Sequence, residues 1–203
     1  MSDKQNDVEQ HYENRFAWRK ERQIQNLREL SQIAESGEAD PIKVLPHLVG
    51  SRVSHDPKDA LRWSILDLLY EATECFIFGE FQSCIITCGA VVERAFKLEY
   101  ETTHGSLPKG ELTLGKCIYK INWEGTRVSP DILEFAKGML EPRNSRAHAL
   151  LEHSNPQLAI IGGADRVIDV QQSGHYLIEP FRGDAKKIIE LTYKILIRLY
   201  GAA

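Results

Sequence analysis

What this chain lacks narrows its chemistry before any motif does. No apolar run reaches the roughly 20 residues a helix needs to span a bilayer, and the polar start from Met1 to Gln10 carries no signal-peptide core. The expectation is a cytoplasmic protein with no membrane partner. Cysteine is sparse: Cys75, Cys84, Cys88 and Cys117 contain no CxxC pair, which excludes a disulfide scaffold or a zinc ribbon. Cys84 and Cys88 stand at i, i+4 and could share a helix face, yet no His or Cys follows to complete a tetrahedral set. Reduced, buried thiols and no metal are expected. His11, His47, His55, His104, His153 and His175 are scattered without ligand spacing, and Gly162-Gly163 lacks the rest of a dinucleotide fingerprint. No cofactor is implied. Neither sign of charge dominates either. A formal net charge of −4 argues against a surface that grips duplex DNA as a whole and confines any nucleic-acid contact to a local basic patch.

What is present points to helices. A chain of 203 residues, 42% of them hydrophobic, can bury one sizeable core. From about Val8 to Glu35, Phe16, Ile24, Leu27, Leu30 and Ile33 recur with helical period among Arg15, Arg19, Lys20, Arg22, Glu13, Glu21 and Glu29. This predicts an amphipathic extension over 1–40 with a solvated, charge-paired face. Gly37, Asp40-Pro41, Pro46, Gly50 and Pro57 then predict a linker over 41–56 and a main domain over 57–203. Leu61, Ile65, Leu68, Leu69, Ala72, Phe76 and Ile77 read as one helix, and Phe81 to Leu98 as a second, with Gly79 at the turn between them. The stretch from Phe81 to Val92 is almost free of charge, so the second helix should be packed on several sides and lie at the centre of a bundle. Short helices follow over Leu112 to Ile121 and from Ser129-Pro130 to Leu140. Beyond Pro156 the period shifts toward two, which predicts a small β-hairpin at about 166–179, and an amphipathic helix from Asp184 closes the chain.

The chemically loaded stretch is Glu141-Pro142-Arg143-Asn144-Ser145-Arg146-Ala147-His148. Pro142 suits a first helical position, so a new helix is expected to start there, with the motif near its N-terminus. Asn144, His148 and Glu152 recur at i, i+4, i+8 and share a stripe, while Arg143 lies about 140° from His148 around the axis. The residue types match what cleaving a phosphodiester requires. An imidazole with an ordinary pKa near 6.5 can move protons at neutral pH. A guanidinium fork can clamp phosphoryl oxygens, and an amide can orient either group. Arg146, Glu93 and Glu152 are candidate supporting or substrate-binding residues. The bland alternative is that Arg143 and Asn144 cap and pair their helix, for example through Glu93 or Glu141, while His148 satisfies a buried acceptor.

Three elements in order carry a resemblance: the hairpin turn Gly79-Glu80-Phe81, the run Gly89-Ala90-Val91-Val92-Glu93-Arg94-Ala95, and Arg143-Asn144 followed four residues later by His148. Together they resemble the HEPN superfamily, whose members carry Arg, usually a polar residue, and then His after a short spacer. The resemblance spans roughly Pro57 to Asn155 plus the last helix. It implies an all-α bundle of four to five helices, here with an extra N-terminal helix and the β-hairpin. It also implies a homodimer with a composite, metal-independent endoribonuclease site at Arg143, Asn144 and His148. RNA would be the substrate, in a toxin or antiviral setting, with an antitoxin or nucleotidyltransferase as partner protein. The same family includes non-catalytic dimerisation, nucleotide-binding or RNA-binding modules, which is the alternative function.

Overall fold

A computed structural model describes residues 20–32, 57–108, 112–152 and 179–201, with 17, 45 and 48; the side chains of 57, 146–152, 179 and 180 lie outside that description. Six helices account for nearly all of it: α1 (20–32), α2 (Pro57–Phe78), α3 (Phe81–His104), α4 (Leu114–Lys120), α5 (Pro130–Glu152) and α6 (Glu179–Tyr200). The chain is mainly helical, and the segment expected to form the β-hairpin lies outside the described residues.

In α2, Ile65, Leu69, Ala72 and Phe76 fall at i, i+4, i+7, i+11 and are fully buried, so the apolar period read from the sequence becomes the face laid on α3. The turn that follows is a Schellman cap. Gly79 takes φ 82°, its N–H donates to the Phe76 carbonyl at 3.2 Å, and the Glu80 N–H donates to the Cys75 carbonyl at 2.7 Å. Only glycine adopts that φ without steric cost, so the break between the two helices is set by one residue. Phe76 and Phe81 then meet edge to face at 5.6 Å across the turn.

The central position expected for the second helix is what the structure has: α3 packs against α2, α4, α5 and α6. Cys84, Ile85, Cys88, Val91, Val92, Ala95 and Phe96 are all buried on it. On α6, Ala185, Ile188, Ile189, Tyr193, Ile195, Leu196 and Leu199 are buried, and the Tyr200 hydroxyl donates to the Ala95 carbonyl of α3 at 3.1 Å.

The N-terminal helix is docked rather than free. Asn26 is buried, and its amide donates at 3.0 Å to the Phe76 carbonyl, which also accepts from Gly79, and at 3.2 Å to the Ile77 carbonyl in the last turn of α2. Arg182 of α6 donates to Asn26 Oδ1 at 3.2 Å and to Glu29 at 2.7 Å. Within the stretch read as a linker, Leu45 and Leu48 are fully buried members of the same core as Leu30. Each such leucine contributes about 1.5–3 kcal/mol by leaving water, which accounts for chain of loop-like composition being held against the bundle at these points.

Candidate functional site

The sequence places Pro142 at the start of a helix, whereas α5 runs unbroken from Pro130 to Glu152 with Pro142 inside it. The first-position proline is Pro130, where Leu133 N–H bonds the Ser129 carbonyl at 3.1 Å and the Ser129 hydroxyl donates to Asp131 at 2.6 Å. Pro142 lies 12 residues on, about 18 Å along the axis, so the free N–H groups and positive dipole end of α5 do not reach the motif. Any anion there must be held by side chains.

Burial explains how a proline comes to sit inside this helix. Ile132, Ala136, Met139 and Pro142 form one buried stripe. Having no N–H, Pro142 leaves the Gly138 carbonyl without its helical donor. Gly138 is itself closely approached by α6, since a Cβ there would stand 3.3 Å from Leu191 Cδ1.

Arg143 follows Met139 by one turn and so faces α3. Its stem crosses Gly89: a Cβ at Gly89 would stand 2.9 Å from Arg143 Cγ and 3.1 Å from Nε. The Nε atom is buried without a hydrogen-bond partner, while Nη1 donates to Asn144 Oδ1 at 3.2 Å. Asn144 and Ser145 are exposed. His148 and Glu152 lie one and two turns beyond Asn144 on the backbone of the same helix, and Arg146 lies between Asn144 and His148. The side chains of these three are outside the described residues.

Glu93 is engaged elsewhere. One oxygen accepts from Lys97 Nζ at 2.8 Å and the other from the Leu114 N–H at 2.9 Å, the first amide of α4. This carboxylate, together with Thr113, whose hydroxyl accepts from the Lys116 N–H at 3.4 Å, caps the short helix. Among the described residues Arg143 forms no ion pair with Glu93 or any other carboxylate. The scaffold role considered for Arg143 through Glu93 is therefore not the arrangement found.

Two arrangements do not follow from the sequence patterns. One is the contact of Gly89 with Arg143, although a glycine inside an otherwise apolar helix weakens it by roughly 1 kcal/mol relative to alanine, so its presence there is a signal of close approach. The other is a polar cluster built on the buried Glu99. Glu99, 2% exposed, accepts two bonds from Arg127, from Nε at 3.0 Å and Nη2 at 2.6 Å, and the guanidinium lies 5.2 Å from the Tyr200 ring centroid. Burial, followed by the Glu99 charge, pushes the Tyr200 phenol well above its ordinary value. No spacing rule links residues 99, 127 and 200.

The thiols are also perturbed. Burial first, then the Glu93 charge, lifts Cys117 to about 12, and burial lifts Cys75 to about 11. Cys84 is raised by its hydrogen bond with Cys88 and by burial. Such thiols are poor nucleophiles at neutral pH. His104 stacks on Tyr100 at 4.2 Å with Nδ1 3.1 Å from the Tyr100 carbonyl. His11, His47, His55, His153 and His175 lie outside the described residues. Among the described residues no group of three His, Cys, Asp or Glu side chains is placed to hold a metal ion, and no helix is long and apolar enough to cross a membrane. Comparison with protein-family models, curated proteins and solved structures returns no match.

Proposed function

We propose that the protein is a HEPN-like, metal-independent RNA endonuclease acting as a symmetric dimer. The observation that carries this reading is the state of Arg143. Its stem is held against α3, it has no carboxylate partner among the described residues, and its only described hydrogen bond runs to the exposed Asn144. A guanidinium tied into an ion-pair network has lost much of its capacity for an anion. An uncompensated one at the edge of the core retains it.

Chemically, His148 of one subunit takes the proton of a ribose 2′-OH and the oxygen attacks phosphorus. The bond from phosphorus to the 5′-oxygen breaks, and the departing oxygen takes a proton from the partner's His148. A 2′,3′-cyclic phosphate and a 5′-hydroxyl result. Arg143 stabilises the added negative charge on the phosphorane, and Asn144 holds the guanidinium in register.

The test is cleavage of single-stranded RNA in the presence of a chelator. His148→Ala should reduce the rate by about 10² to 10⁴ while leaving the helical circular-dichroism signal and the dimer mass unchanged. Undiminished cleavage in that variant would remove the assignment. RNA retained without cleavage by the wild-type protein would favour a non-catalytic binding module instead.

A further inference from the structure

We propose that Gly89, on the central helix and one layer beneath the Arg143-Asn144 motif, is a positioning residue that sets where the Arg143 guanidinium stands; this rests on the ribonuclease reading of the site. The geometry is specific. A methyl group at Gly89 would stand 2.9 Å from Cγ, 3.1 Å from Nε and 3.3 Å from Cδ of Arg143. The closest of these atoms is near the base of the side chain, so swinging the tip aside does not relieve the contact. The first torsions of Arg143 must change, and with them the place of the guanidinium. Gly89 is buried and its helix is continuous through it, so neither a turn nor a positive φ accounts for glycine here. Closeness to Arg143 does.

Gly89 thus touches no substrate and acts only through the arginine. Its removal should impair the site while sparing the fold, because alanine is the better helix former. A comparable substitution supplies the control: a Cβ at Gly115, in α4, would meet nothing within 4 Å.

Two readouts on the full chain test the proposal. The first is the ¹⁵Nε–¹Hε resonance of Arg143, assigned by its disappearance in Arg143→Lys, which reports the buried Nε directly whether or not RNA is cleaved. The second is chelator-resistant RNA cleavage. Gly89→Ala should shift or broaden that resonance and lower cleavage at least tenfold at an unchanged or higher melting temperature, and Gly115→Ala should do neither. Wild-type resonance position and wild-type cleavage in Gly89→Ala would overturn the proposal. If the wild-type protein cleaves no RNA, the functional reading fails and the resonance alone decides whether Gly89 places the guanidinium. If Gly89→Ala does not fold, Gly89→Ala/Arg143→Ala removes the obstructing stem and should fold with the melting temperature of Arg143→Ala; failure of the double variant to fold would also overturn the proposal.

Discussion

At Arg143 two needs are divided between the parts of one side chain: the methylenes pack on α3, and the planar head meets Asn144 with no carboxylate partner among the described residues. Lysine reproduces the first and not the second. Arg143→Lys keeps the charge and most of the stem but loses the fork that, in the proposed nuclease, makes two parallel bonds to a phosphate. A lost charge-assisted bond is worth about 1.5–3 kcal/mol, or roughly 10- to 150-fold in rate. Cleavage by Arg143→Lys should therefore fall within that range while the melting temperature barely moves, both being read on the same preparation. A lowered melting temperature with unaltered cleavage would show that the arginine is scaffold. Glu93 illustrates the opposite assignment. It stands out as a charge in an apolar run, yet both its oxygens are committed to structure, one to Lys97 and one to the amide that opens α4.

Helix α5 carries a proline twelve residues into a 23-residue element, which removes one rung of its hydrogen-bond ladder. Pro142→Ala returns an N–H to face the Gly138 carbonyl. An interior proline costs about 3 kcal/mol against alanine, and losing the buried ring gives back part of that gain. A net stabilisation of about 1 kcal/mol is expected, or a rise of roughly 2–4 °C in melting temperature for a chain of this size; calorimetry showing a fall would mean that the ring's packing outweighs the missing bond. This element also marks the boundary of what the sequence made legible. The helical hairpin was readable because Gly79 interrupts two long apolar periods, and the central place of α3 because charge is missing from one stretch. Pro142 was misplaced because a proline beside a polar run ordinarily begins a helix; only the buried stripe Ile132, Ala136, Met139 shows that it continues one. The contacts of Arg143 with Gly89, and of Glu99 with Arg127, join residues 54 and 28 positions apart, given 143 − 89 and 127 − 99. No local pattern encodes such distances. Arg143, Asn144 and His148 stand out in the sequence as residue types, whereas the layer of α3 beneath Arg143 does not.

At the scale of the whole molecule, groups held in their neutral form contribute to the response to alkali. Cys75, Cys84, Cys117 and Tyr200 all have folded-state pKa values above their ordinary ones, because burial or a neighbouring group disfavours the charged form. A raised value means that the folded state holds the proton more tightly than the unfolded chain. Their contribution is complete below about pH 9 and is lost as pH climbs toward the folded values of about 11 for Cys75 and about 12 for Cys117. The melting temperature should therefore decline progressively above pH 9. In Cys117→Ala that decline should be shallower, as a thermal series from pH 8 to 11 would reveal; an identical slope would assign the alkaline loss to other groups. The contacts of α1 carry a further consequence, one of timing. Glu29 lies 153 residues before Arg182, its partner. During synthesis at about 5–20 residues per second, α1 emerges roughly 8–30 s before the strand of chain that will neutralise it. In that interval Asn26 can already engage the end of α2, but its bond from Arg182 cannot form. Helix α1 is thus made early but finished late, once α6 has followed it and Arg182 secures it.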